Sequence, residues 1–238
     1  MRVTLAQTSP KLNRSNLGDI VDIIKTHKDE SDLIVFPELS LNGYLLQDKL
    51  LEDAWELCEL KEIQELSKDI DIVIGAALRD SDGFRNAGLY FSKGKLLNQH
   101  NKVHLPNYGM FEEARYFSAG DEFESFSVED KKISMLVCED LWHKSVHHDL
   151  IEENPDMIIA LVASPARGFS DDGLEIQTQW YEIIKTVAAE CRATLIFVNR
   201  VGFEDGLGFW GGSCVLDENA NILHQLPNYE NIIKTFEI

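Results

Sequence analysis

The chain has 238 residues, 44% hydrophobic and 26% charged, with a formal net charge of −19 at pH 7. These are globular values, and the length is ordinary for an α/β domain with a substantial core. Such acidity argues strongly against a phosphate-reading surface, which needs clustered basic residues, and disfavours anionic membranes. No apolar stretch approaches the roughly 20 residues that span a bilayer, so neither nucleic acid nor membrane is an expected partner. Four cysteines (Cys58, Cys138, Cys191 and Cys214) lie far apart with no CxxC pair, and reduced thiols in a cytoplasmic protein are expected.

In chain order, Val3–Thr8 reads as a strand entered at once, with no leader ahead of it. Asn16–Lys28 carries Leu17, Ile20, Val21, Ile23 and Ile24 on one helical stripe. Leu33–Phe36 is a short apolar strand. Leu51–Lys68 reads as one helix, with Leu57, Leu60, Ile63 and Leu66 at spacings of three. Ile72–Leu78, Gly88–Ser92 and Lys95–Asn101 are successive strands, the last two joined by a Lys93-Gly94 turn. Asn107–Asp121 has no period and reads as a functional loop. Ile133–Val137 is a buried strand, followed by a short helix near Ser145–Glu152, the strand Met157–Val162 and a long helix, Glu175–Cys191. Strands at Thr194–Asn199, Gly212–Leu216 and Ile222–Gln225 come last. Mixed βα and ββ connections, without linker or repeat, predict one layered α/β domain over residues 1–238.

Three of these segments stop abruptly at a residue with chemistry. Leu33–Phe36 delivers Glu38 through Pro37, Leu96–Asn101 delivers Lys102, and Ile133–Val137 delivers Cys138. Open α/β folds keep their chemistry just beyond the carboxyl ends of strands, so a base, a cation and a nucleophile are predicted to converge. A free thiol is mostly protonated at neutral pH and needs a neighbouring base or cation to react. The other cysteines read as small core residues, Cys58 and Cys191 in helices and Cys214 in a strand. His143, His147 and His148 lack an acidic or thiol ligand at a zinc spacing and read as a solvated helix start. Neither metal nor cofactor is expected. Gly206–Gly211 matches GxGxxG by letter without a following helix, and reads as a loop feeding the Gly212 strand.

Phe36–Tyr44, Asn101–Leu105 and Val137–Trp142 resemble, in that order, the glutamate, lysine and cysteine motifs of the nitrilase (carbon–nitrogen hydrolase) superfamily. Gly211–Asp217 resembles its C-terminal strand. Leu105–Phe117 and Cys138–His143 look most like the glutaminase domain of glutamine-dependent NAD synthetase, but no SGGxDS-type pyrophosphate loop is present. The resemblance therefore implies an amide-cleaving half standing alone. It also implies a four-layered αββα sandwich, formed on dimerisation, and a homodimer or larger assembly. The helix Glu175–Cys191 is either part of that surface or a wholly internal core helix.

By the same resemblance Glu38 is the base, Lys102 the oxyanion partner and Cys138 the nucleophile. A second glutamate supports Lys102, and Glu113 matches it better than Glu112. Tyr108, Glu139, Ser164 and Arg167 are implied as substrate-facing, Arg167 pairing with a substrate carboxylate or else making an ordinary salt bridge. The implied activity is hydrolysis of a small amide through a cysteine thioester. Candidates are glutamine-like ω-amides, N-carbamoyl compounds and short aliphatic amides, with any ammonia-accepting partner left open. The rival reading is a non-catalytic glutaminase-like partner protein.

Overall fold

The computed structural model describes residues 1–171 and 173–238. The strands are β1 (Arg2–Gln7), β2 (Leu33–Val35), β3 (Asp71–Asp80), β4 (Gly83–Ser92), β5 (Lys95–Asn101), β6 (Phe126–Val128), β7 (Lys131–Val137) and β8 (Met157–Val162). They continue as β9 (Phe169–Ser170), β10 (Gly173–Leu174), β11 (Thr194–Asn199), β12 (Val201–Glu204), β13 (Leu207–Trp210), β14 (Cys214–Leu216), β15 (Ile222–Gln225) and β16 (Ile232–Glu237). The α-helices are α1 (Asn16–His27), α2 (Leu50–Asp53), α3 (Lys61–Leu66), α4 (Glu113–Tyr116), α5 (Lys144–Glu153) and α6 (Glu175–Cys191).

Two six-stranded sheets carry the architecture, ordered β16-β1-β2-β3-β4-β5 and β15-β14-β11-β8-β7-β6. Each has a parallel centre, β1-β2-β3 in one and β7-β8-β11 in the other, flanked by antiparallel neighbours. Parallel strands must be covered on both faces, which explains why Met157–Val162 is apolar throughout and buried at every position. Alternation sorts the side chains. Leu33, Val35, Val73, Ile133, Ile159 and Ile196 fill the space between the sheets. Ile34, Ile72 and Ile74 turn outward onto α1 and α3, while Ile158, Ala160 and Phe197 turn onto α5 and α6.

All four layers of the αββα sandwich therefore lie within one chain; they do not wait for dimerisation. The stripe Ile176, Trp180, Ile184 and Val187 packs α6 against its own sheet. No helix among the described residues is long and apolar enough to cross a membrane.

Several boundaries differ from expectation. The predicted helix over residues 51–68 is broken: Ala54 is extended, and Trp55 pairs alongside β3 through hydrogen bonds with Ala77 and Arg79. Cys58 is exposed there and is not a core residue. The glycine-rich segment 206–211 supplies the turn and second strand of a hairpin, β12 pairing with β13, and the next strand begins at Cys214, after Gly211 and Gly212 have both taken positive φ. The strands β6 and β16 were not anticipated.

Because Ile159 is fully buried between the two sheets, Ile159→Ala is expected to destabilise the protein by about 3 kcal/mol, as truncation of a well-packed core isoleucine does. Urea unfolding followed by circular dichroism measures it. A loss below about 1 kcal/mol would show that this layer is loosely packed.

Candidate active site

The carboxyl ends of β2, β5 and β7 meet at one end of the sandwich. Glu38 lies three residues beyond β2, Lys102 follows β5 directly, and Cys138 follows β7. Glu38 is tucked over β3, where the backbone leaves no room for a side chain. A Cβ on Gly75 would stand 2.4 Å from the Leu39 amide nitrogen and 2.7 Å from the Glu38 Cα. Asn86 on β4 then ties two of the three groups together. Its side chain donates to Glu38 Oε1 at 2.8 Å, and its carbonyl accepts the Lys102 backbone N–H, also at 2.8 Å.

The Lys102 ammonium is buried between two carboxylates. Nζ lies 2.8 Å from Glu38 Oε1 and 2.8 Å from Glu113 Oε1. Burial disfavours its charge, but Glu113 and Glu38 outweigh that, and its pKa is raised well above the ordinary lysine value. Glu113 opens α4 and takes a second partner, a 2.6 Å hydrogen bond from the Tyr44 hydroxyl. Burial nonetheless holds the Glu113 carboxyl above the usual range, against the opposing pull of Lys102. Glu112 is exposed and faces Arg115 instead. One oxygen of Glu38, Oε2, is buried without a hydrogen-bond partner among the described residues.

Cys138 takes φ +47°, a left-handed conformation that a non-glycine residue adopts only under strain, at the start of the 3₁₀ turn Cys138–Trp142. Burial, and then the Glu38 charge, push the thiol well above the ordinary cysteine value. The resting group is therefore a thiol, and it needs a base to become a nucleophile.

Asp140, in the same turn, fastens this strand end to the other sheet. Its fully buried carboxylate accepts the backbone N–H groups of Val103 (3.1 Å) and His104 (2.9 Å), just after Lys102, and of Val137 (3.1 Å), just before Cys138. His100 Nε2 adds a fourth contact at 2.8 Å. Burial alone would raise its pKa, but the hydrogen bonds from His100 and His104 hold it well below the carboxylate range.

A cavity of about 210 Å³ opens over Cys138, lined by Tyr44, Tyr108, Phe111, Glu139, Ser164 and Arg167 among others. The Tyr108 hydroxyl donates to both oxygens of Glu139, at 2.9 and 3.0 Å. Burial and that contact push its pKa up to about 12. Arg167 is exposed over the Phe111 ring, 5.3 Å from its centroid, and forms no ion pair among the described residues. The Ser164 hydroxyl is already engaged, accepting the Trp180 indole N–H at 2.9 Å.

All eight residues singled out from the sequence thus fall at this one end of the molecule. Gly75, Asn86 and the role of Asp140 were missed. A glycine inside a strand is the one local signal that could have flagged Gly75. The histidines are occupied otherwise: His143 stacks on His104 at 3.7 Å, and His147 Nε2 contacts the Leu141 carbonyl at 2.8 Å.

The carbon-nitrogen hydrolase family model matches residues 2–237. The glutamine-dependent NAD(+) synthetase of Acinetobacter baylyi is 32% identical over 235 residues, covering 96% of this chain and 42% of that protein. The Thermotoga maritima protein of the same name is 30% identical, over 100% of this chain and 42% of its own length. Among solved structures, glutamine-dependent NAD+ synthetase from Acinetobacter baumannii superposes with a TM-score of 0.85 at 30% identity, covering 98% of this chain and 44% of that one. An amidase from Nesterenkonia sp. shares the fold, with a TM-score of 0.82 at 22% identity over 100% of this chain and 90% of its own. The chain belongs to the carbon–nitrogen hydrolase family. It spans less than half the length of the curated relatives it matches.

The Asp140 contacts set a pH dependence. Its carboxyl binds protons more weakly folded than unfolded, so its stabilisation is complete above the unfolded carboxylate value of about 4 and drains as pH falls toward the depressed folded value. Asp140→Asn is expected to flatten the loss of stability below pH 4 relative to the parent protein. Urea unfolding from about pH 2 to 6 reads the two slopes; equal slopes would contradict the assignment.

Proposed function

We propose that this chain hydrolyses the side-chain amide of glutamine or a closely similar ω-amide through a thioester on Cys138, releasing ammonia. The reading is carried by the buried Glu38–Lys102–Glu113 cluster beside Cys138, and by a cavity over Cys138 whose wall holds both the Glu139 carboxylate and the Arg167 guanidinium. Glu139, with the Tyr108 hydroxyl on it, suits the α-ammonium of an amino acid, and Arg167 suits its α-carboxylate. The names of the Acinetobacter and Thermotoga relatives support glutamine over N-carbamoyl compounds and short aliphatic amides.

In this mechanism Glu38 takes the thiol proton as the sulfur attacks the amide carbon. The C–S bond forms and the carbonyl π electrons move to oxygen. The Lys102 ammonium and the backbone N–H after Cys138 receive that oxyanion; each such donor is typically worth about 3 kcal/mol. As the carbonyl re-forms, the C–N bond breaks and Glu38 passes its proton to the departing nitrogen, which leaves as ammonia. Glu38 then deprotonates a water that attacks the thioester, the C–S bond breaks, and the proton returns to the sulfur as the acid is released. Glu113 stays ionised and keeps Lys102 charged and in place.

Purified protein is expected to release ammonia from glutamine, and Cys138→Ala to abolish the release. Lys102→Met should lower kcat by about 10²–10³-fold if it removes one oxyanion donor. Arg167→Met should act chiefly on KM, because it grips a part of the substrate that does not change during reaction. A coupled ammonia assay across glutamine, N-carbamoyl amino acids and short aliphatic amides decides the substrate. Release only from an amide without an α-amino acid head would remove the glutamine reading.

A further inference from the structure

The hairpin β12–β13 lies outside the three strand ends that build the site, yet one of its side chains reaches into the site's support. Glu204 closes β12 and is 7% exposed. Its Oε1 accepts the backbone N–H groups of both Tyr44, at 2.8 Å, and Leu45. Its Oε2 accepts Arg200 Nη1 at 2.9 Å. Arg200 is fully buried, with Nη2 donating to the Pro10 carbonyl at 3.0 Å and the guanidinium 4.1 Å above the Phe209 ring. Phe209, on β13, meets the Tyr44 ring edge-on at 5.9 Å. The preceding residue must be glycine for this approach: Gly43 takes φ +84°, and a Cβ there would stand 2.8 Å from Glu204 Oε2.

A buried ion pair is weak evidence of stabilisation in itself, because both charges are stripped of water. Here the pair spends its second oxygen on two backbone donors that belong to Tyr44 and its neighbour. The far end of Tyr44 is the hydroxyl that donates to Glu113 Oε1 at 2.6 Å, the same oxygen that takes the Lys102 ammonium. Backbone and ring are thus fixed from the hairpin, and the hydroxyl is fixed as a consequence.

We infer that Glu204, locked by Arg200, is a positioning residue that seats Tyr44 so that its hydroxyl keeps Glu113 ionised against Lys102. This rests on the amide-hydrolysis reading of the site. Glu113 is faced by Lys102, Glu38, Tyr44 and, more distantly, Cys138. Of these, Lys102 and the Tyr44 hydroxyl favour its charged form, whereas burial and Glu38 oppose it. Loosening Tyr44 therefore moves Glu113 toward protonation, and the acid limb of kcat moves to higher pH.

The test is a double-mutant cycle of Glu204→Gln and Tyr44→Phe on the full chain. Tyr44→Phe should lower kcat for glutamine by about tenfold, the scale of one hydrogen bond to a charged group. Glu204→Gln should lower it by about threefold or more and shift the acid limb of the pH profile in the same direction. In the Tyr44→Phe background Glu204→Gln should have less than about a twofold effect, because its action passes through the missing hydroxyl. Multiplicative losses, or an unmoved acid limb, overturn the inference, since a purely structural role would give either. If Glu204→Gln does not fold, Arg200→Lys takes its place in the cycle with the same expectations. The cycle is repeated on the rate of Cys138 alkylation by iodoacetamide, which needs no amide substrate. Coupling in alkylation without ammonia from glutamine removes the substrate and leaves the positioning intact, whereas multiplicative losses in the alkylation rate remove the positioning whatever the substrate.

Discussion

The structure turns on one charge. An ammonium with no exposure to solvent survives only if counter-charges replace the water it has lost, and Lys102 has two, Glu38 and Glu113, each at 2.8 Å. Burial raises both Glu113 and the Cys138 thiol, with the Glu38 charge adding to it and Lys102 opposing it in each case. The same burial that makes the cluster costly makes it chemically useful. The sulfur is kept neutral at rest, and among the described residues one oxygen of Glu38 is left without a hydrogen-bond partner.

Such a cluster must be held by parts that cannot relax around it. Lys102 belongs to one sheet and Cys138 to the other, so their separation is set by whatever joins the sheets at that end. Asp140 does this with a single carboxylate, accepting backbone donors on either side. Asn86 does the corresponding task within the first sheet, and Gly75 lets Glu38 lie against β3 at a distance no other residue would permit. Most of the site's support is therefore backbone and buried polar contact close to strand ends, where the chain has little freedom.

The strand ends were legible because period and composition change there together. Ile133–Val137 is apolar and β-branched, and polar residues begin at once; the same holds before Glu38, and Lys102 follows the predicted strand directly. The breadth of β8 and the length of α6 were legible for the same reason, as long runs of one pattern. The segment 51–68 was not. Its spacing of three is real in Leu60 and Ile63, which are buried, but Leu57 is exposed, and Trp55 takes its backbone partners from β3. Tertiary pairing overrode local periodicity. The hairpin at 201–210 was hidden by its glycines, which mimic a loop, and by the exposure of Phe203 on an otherwise strand-like run. Glu204 and Asn86 carry no local mark at all, since their roles exist only once distant strands are side by side.

Trp180 joins the Cys138 end of the sandwich to the outside of the molecule. It stands on the inner stripe of α6, lines the cavity, holds the Ser164 hydroxyl and meets Trp142 edge-on at 5.2 Å, in the turn that begins with Cys138. The opposite side of the same helix faces outward. The pocket wall beside Cys138 is therefore built partly from the inner face of a helix whose other face is on the surface, so a shift of α6 along its axis would carry Trp180 and reshape that wall.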